Sequence, residues 1–204
     1  MAGRGRLSRT WSSSSGNFHA TCLLPCDAAP ERAALYGFAA ALAVADTLDG
    51  YDLIVPAALK WPNDVLIDGA KIAGILVERE AEALLVGCGI NLVSHPDDTP
   101  YPATHLTAVM DPDALAGPEP RFTGADAVLA VLAARLAHWS ARLQGEGFAP
   151  LRRAWLARAH GLGRTVTVGG QIGTLRGLGP DGALLMVRPD GTEHRVHAGD
   201  VSFG

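Results

Sequence analysis

Lysine is nearly missing from this chain. Of 17 basic residues in 204, fifteen are arginine and only two, Lys60 and Lys71, are lysine. Asparagine is just as scarce, with Asn17, Asn63 and Asn91 its only occurrences. The three cysteines, Cys22, Cys26 and Cys88, are too few for a disulfide framework and suit a reducing cytoplasm. No second Cys or His pair accompanies Cys22 and Cys26, which argues against a structural zinc site. The longest early charge-free run, residues 33–45, is thirteen residues, too short to span a bilayer. Charged residues stand at the N-terminus where a signal peptide would need an apolar core. A net charge of −4 excludes a globally basic nucleic-acid coat. Neither a phosphate-binding loop ending in Gly-Lys-Ser nor a serine nucleophile elbow is present.

What is present is enough to build a core. Hydrophobic residues make up 48% of the chain and charged residues 19%, the balance of one sizeable domain, or one with a small appendix. Residues 1–17, rich in glycine, serine and arginine, read as a loop, and 18–24 as a strand stopped by Pro25. A helix is expected from Pro30, with Leu35, Phe38, Leu42, Ala45 and Leu48 on one face and Gly50 as its stop. Short strands follow over 57–61, 65–67, 72–78 and 83–91, with Asp68-Gly69 as a hairpin turn. A proline-rich loop covers 94–122. Thr123 and Asp126 resemble a capping box before a helix marked by Val128, Leu132, Leu136, Trp139 and Leu143. A second helix is expected around 151–159. Beyond Gly163, runs at 164–168, 171–178, 183–187 and 192–196 between tight turns suggest a small barrel. The expected division is a mixed α/β body over 1–147, a helical connector over 148–163 and a β module over 164–204.

Three constellations could carry chemistry. The first is Gly3-Arg4-Gly5-Arg6 with Arg9 and Trp11: a flexible backbone, planar donor forks for phosphate or carboxylate, and a ring that can stack. A solvated basic arm fits the same composition. The second is Lys60-Trp61-Pro62-Asn63-Asp64 followed by Lys71 and Gly74. Pro62 cannot serve a central ladder, so the strand bends there and aims Asn63 and Asp64 outward. Lys71 opens the next strand and can lie close to residues 60–64, while Gly74 leaves room for a ligand. Retention of lysine in an arginine-using chain favours a site over a surface hairpin, because an ammonium and a guanidinium are not interchangeable. The third, Gly87-Cys88-Gly89-Ile90-Asn91, fits a strand end touching a ligand and fits a plain turn almost as well.

In order and spacing, GRGRLSRTW at 3–11, KWPND at 60–64, KIAGIL at 71–76 and GCGIN at 87–91 resemble the biotin protein ligases. The resemblance covers nearly the whole chain, and KWPND with the following lysine is its specific part. It implies an α/β (α+β) fold: a mixed sheet flanked by helices, class II synthetase-like, with a C-terminal SH3-like barrel. It implies a cytoplasmic enzyme that makes biotinyl-5'-AMP from biotin and ATP with Mg²⁺. The biotin would then pass to a lysine of a biotin carboxyl carrier protein, a subunit of acetyl-CoA carboxylase.

By similarity Lys71, Arg6 and Arg9 are catalytic. Gly3, Arg4, Gly5, Arg6, Lys71 and Gly74 would meet biotin. Arg9, Trp11, Asn63, Lys71 and Asn91 would meet the nucleotide, with Asn63 and Asp64 at Mg²⁺. No membrane and no DNA-binding domain is expected, and the resemblance leaves a homodimer open. Two departures stand out. Ser8 replaces a loop glycine, and the Ser-Thr pair and Gln that precede the loop in the family have no counterpart, so a start upstream of Met1 is expected. That gap keeps open a non-catalytic ligand- or carrier-binding homologue, and a related lipoate or octanoate ligase remains a further alternative.

Overall fold

The computed structural model describes residues 3–5, 10–12, 14–25, 30–113 and 124–203. Its centre is a five-stranded antiparallel sheet in the order β3-β7-β6-β5-β4, built from β3 (Phe18–Pro25), β4 (Ala58–Lys60), β5 (Asp64–Ile67), β6 (Ala70–Glu80) and β7 (Ala83–Ile90). Asp68 at φ 48° and Gly69 at φ 76° make the β5–β6 hairpin, as Asp-Gly requires: both central residues are left-handed, matching the twist of the strands. The expected helix from Pro30 is two pieces, α1 (Pro30–Ala34) and α2 (Tyr36–Leu48), with Leu35 in a turn between them.

One face of the sheet is covered by α2, and α4 (Ala125–Glu146) lies against α2 in turn. Sandwiched between two layers, α2 is buried on nearly every side, with Ala39 through Ala45 at most 1% exposed. In α4 the stripe Val128, Leu132, Leu136, Trp139 and Leu143 is buried as its spacing requires. Gly124, not Thr123, flanks its start, and Thr123 lies outside the described residues. The short helix α3 (Leu106–Val109) interrupts the stretch expected as loop, and α5 (Phe148–Ala157) leads into the last segment.

That segment forms a second antiparallel sheet, β11-β10-β9-β8-β12, from β8 (Thr165–Val168), β9 (Gln171–Leu178), β10 (Leu184–Val187), β11 (Glu193–Val196) and β12 (Val201–Phe203). Its inward side chains, among them Val166, Leu175, Leu184 and Met186, are at most 2% exposed. The opening segment is not the plain loop expected from composition. β1 (Gly3–Arg4) pairs with β2 (Thr10–Trp11) as a short antiparallel ribbon. Among the described residues no helix is long and apolar enough to cross a membrane.

Candidate functional site

The sheet face opposite α2 carries a cleft of about 670 Å³. Its floor is one cross-strand row: His19 on β3 pairs with Gly89 on β7, Gly89 with Gly74 on β6, and Gly74 with Asp64 on β5. Two side-chain-free positions side by side leave a trough. The Trp11 indole fills it, lying so close that a Cβ at Gly89 would come within 2.5 Å of the ring and one at Gly74 within 2.7 Å. The indole nitrogen of Trp11 is buried and has no hydrogen-bond partner among the described residues. A buried donor in that condition costs free energy that an acceptor on a ligand would recover.

Lys71 enters the cleft through an irregularity. Residues 71 and 74 are an odd number apart and would face opposite sides of a regular strand. The β5–β6 register, however, shifts between Val65, which pairs with Ala73, and Leu66, which pairs with Lys71. The extra residue of this bulge, Ile72, is buried like Ala73 beside it, and Lys71 turns back to the Gly74 side. Its ammonium meets Asp64 Oδ1 at 2.6 Å, with both side chains only 15–17% exposed. Nζ also lies 5.4 Å from the Trp11 ring centroid and 5.1 Å from that of Tyr101.

The 61–63 turn supplies the neighbouring polar groups. Pro62 sits in the turn between β4 and β5, so the chain reverses there where a bend within one strand was expected. Asn63 Nδ2 donates to Ile75 O at 2.7 Å, and Ile75 N donates back to Asn63 O at 2.9 Å. This reciprocal pair pins the turn to β6 beside the cleft.

Gly3, Arg4, Gly5, Trp11, Asn63, Asp64, Lys71 and Gly74 all line this one cavity, although up to 71 positions separate them. Arg4 lies across its rim, 3.6 Å from Glu78. Arg6 and Arg9 lie outside the described residues, as does Cys26.

Two candidates have other partners. Asn91, expected at the nucleotide, is not among the residues that line the cleft. It is 3% exposed, and its Nδ2 donates to Thr104 O at 3.0 Å, so its side chain braces the backbone of the 102–106 stretch. Lys60 does not join Lys71: its Nζ lies 5.9 Å from the Phe203 ring, on the side of the second sheet. The scarce asparagines share one kind of work, because Asn17 likewise brackets backbone. Its Oδ1 accepts from the N–H of Leu92 and Val93 at 2.9 and 3.0 Å, and its Nδ2 donates to Ser94 O at 2.8 Å.

Sequence reasoning missed His19 and the 98–101 segment, both of which line the cleft. Burial lowers the His19 imidazole pKa, partly offset by a bond to the Ser14 backbone. His19 carried a signal in strand parity, being an even number of positions from Thr21 on the exposed side of β3. The proline-rich 98–101 segment carried none.

For a metal, the described residues hold no group of three or more His, Cys, Asp or Glu side chains. Asp64 beside Asn63 is a hard-oxygen set suited to an ion that arrives on phosphates and keeps its waters, which is the habit of Mg²⁺.

The cleft thus combines a glycine floor, an indole laid on it and an ammonium–carboxylate pair beside it. Residues 1–92 match the biotin/lipoate A/B protein ligase family. The chain is 37% identical to the biotin–[acetyl-CoA-carboxylase] ligase of Paracoccus denitrificans, over all of this chain and 87% of that protein. It is 33% identical to the corresponding ligase of Mycobacterium tuberculosis, over 98% of this chain and 74% of the other. The structure superposes on the biotin protein ligase of Aquifex aeolicus in complex with biotin and ATP with a TM-score of 0.80, at 25% identity, covering 98% of this chain and 84% of that one. This chain belongs to the biotin protein ligase family of enzymes.

Proposed function

We propose that the protein joins biotin to ATP, releasing pyrophosphate, and transfers the biotinyl group to a lysine of a biotin carboxyl carrier protein of acetyl-CoA carboxylase. The observation that carries this reading is the partly buried Lys71–Asp64 pair beside the Gly74–Gly89 trough and Trp11. In the first step a carboxylate oxygen of biotin attacks the α-phosphorus and the bond to the leaving pyrophosphate breaks. Both reactants are anions, so the site must offset their repulsion and fix their approach.

The Lys71 ammonium is placed to hold the carboxylate against the α-phosphate, with Arg6 and Arg9 adding charge from the loop. Gly74 borders biotin beside Lys71, and Gly3, Arg4 and Gly5 border it from the ribbon. Trp11 covers the nucleotide. Mg²⁺, held by Asp64 with Asn63 and the phosphates, would neutralise charge on the leaving pyrophosphate. In the second step the acceptor amine attacks the acyl carbon and AMP leaves. The mixed anhydride is open to hydrolysis, which gives the ribbon over the cleft a protective role. We assign residues 1–147 to catalysis, 148–163 to a connector and 164–204 to an SH3-like module, and place the enzyme in the cytoplasm.

The test is biotin-dependent exchange of pyrophosphate into ATP, with lipoate and octanoate as competitors. Lys71→Ala should lower exchange by about a hundredfold or more, as loss of a charge placed at the developing oxyanion does. Full activity in that variant would remove Lys71 from the mechanism. Preference for lipoate would change the substrate, and carrier binding without exchange would favour a non-catalytic binder.

A further inference from the structure

Resting on that reading, we propose that Tyr101 is a positioning residue, one that holds the Lys71 ammonium in place through the face of its ring. Three groups surround Nζ: Asp64 Oδ1 at 2.6 Å, the Trp11 ring at 5.4 Å and the Tyr101 ring at 5.1 Å. The two rings differ from the carboxylate in what happens when substrate arrives. A ligand carboxylate or phosphate competes with Asp64 for the N–H donors of the ammonium. The rings attract the cation through their quadrupoles and give up no donor, so they hold its place while its anionic partner changes.

Tyr101 is better fixed for this work than Trp11, because the segment that carries it is bonded to Lys71 itself. Lys71 N donates to Pro102 O at 2.8 Å, and Thr104 N donates to Lys71 O at 2.9 Å, a parallel bridge with Ala103 at its centre. The ring and the ammonium are therefore referenced to the same peptide units. Thr99 Oγ1 donates to Tyr101 O at 2.5 Å and shapes the bend before it. Asn91 holds the far end through Thr104 O, and His95 and His105 meet at 2.8 Å between their Nδ1 atoms across the base of the segment. The contact with Nζ is made by the Tyr101 ring, and its hydroxyl makes no hydrogen bond among the described residues.

The chain's poverty in lysine makes the test direct. Protein labelled with ε-¹³C-lysine gives two ε signals, Lys60 and Lys71, which Lys60→Arg assigns. Tyr101→Leu removes the ring at similar volume, and Tyr101→Phe keeps it. In Tyr101→Leu the Lys71 ε protons should shift as ring-current shielding is lost, while the Lys60 signal stays. The kcat of pyrophosphate exchange should fall about threefold to tenfold, the range of a partly desolvated cation–π contact, with KM for biotin and ATP nearly unchanged. Tyr101→Phe should match the parent in both measurements. A Lys71 signal unmoved by Leu, or a Phe variant as impaired as Leu, would overturn the assignment. A parent protein that exchanges pyrophosphate with no acid would instead overturn the ligase reading, and the ε signals would still decide whether Tyr101 holds the ammonium.

Discussion

The Trp11-on-glycine floor makes a demand that one methyl group can test. An ideal Cβ at Gly89 would stand 2.5 Å from Trp11 Cε2, 2.7 Å from Nε1 and 2.8 Å from Cζ2, where ordinary contact begins at 3.4 Å. Gly89→Ala must therefore lift the indole by about 1 Å, a gap that forfeits a quarter to a half of a van der Waals well. One indole face laid on the floor covers about 100 Å², worth roughly 2.5 kcal/mol at 25 cal/mol per Å². The loss is then about 1 kcal/mol, or about a fivefold weaker hold on Trp11 and on the nucleotide it covers. Gly87→Ala is the matched control. It lies on the same strand and face, but its Cβ would stand 3.5 Å from Leu76 O, an ordinary contact.

Neither Gly87 nor Gly89 has a left-handed φ, so alanine fits the backbone at both. Gly87→Ala should leave the melting temperature unchanged or slightly raised, and Gly89→Ala unchanged or slightly lowered by the lost indole contact. Titration calorimetry with ATP should separate the two: Gly87→Ala at parental affinity, Gly89→Ala about fivefold weaker. Equal affinities would refute the reasoning. Tighter binding by Gly89→Ala would show instead that Trp11 blocks the trough and must leave before the nucleotide enters.

Asn91→Ala strips the Thr104 carbonyl of its donor inside a buried site, and should cost about 1–3 kcal/mol of stability in urea unfolding. Unchanged stability would show that the bond to Thr104 O does not brace the fold. The pH dependence follows from three imidazoles. Burial lowers the pKa of His19, His105 and His160 below 6.5, with His95 adding to the shift at His105, and Arg164 and Lys60 adding to it at His160. The unfolded chain then binds protons more readily than the native one, so stability is complete above about pH 6.5 and drains away as pH falls through the native values. Unfolding midpoints compared at about pH 7.5 and 5.5 should show this loss, and His105→Gln should reduce it. A midpoint that rose on acidification would reverse the sign of the argument.

Where periodicity is long or turn chemistry strong, the chain announced its structure. The stripe from Val128 to Leu143 and the Asp68-Gly69 hairpin stand as expected, because each is decided by contacts or dihedrals within a few residues. Two-residue strands such as Gly3–Arg4 and Thr10–Trp11 carry no period to read, and the three-residue β12 fails for the same reason. The hairpin placed Lys71 near Asp64 from sequence alone, and only the family pattern joined Trp11 to them. Strand parity alone turns Lys71 away from Gly74, and the bulge that brings it back is a property of the β5–β6 pairing. Tyr101 was beyond reach for a different reason. Its position depends on backbone bonds between the 102–104 stretch and Lys71, and backbone groups look the same at every position of a sequence.

The strongest motif, residues 60–64, faces two ways. Its first half serves the second sheet. Trp61 is 4% exposed, its indole nitrogen needs an acceptor, and Gly182 O provides one at 3.1 Å across 121 residues of chain. Gly182 sits there at φ 82°, and a Cβ on it would strike Phe38 of α2 at 2.8 Å, so the turn between β9 and β10 is fitted closely to the body. Lys60 over Phe203, Arg152 Nε on Leu178 O at 2.6 Å and the backbone bonds between Leu59 and residues 158 and 160 complete the seam. The second half of the motif serves the cleft, through Asn63 on Ile75 and Asp64 on Lys71. One residue, Pro62, separates the two halves. The second sheet and Asp64 are thus tied to the two ends of one short turn. The five residues therefore act as one structural unit, with Trp61 anchored to Gly182 O on one side of Pro62 and Asp64 paired with Lys71 on the other.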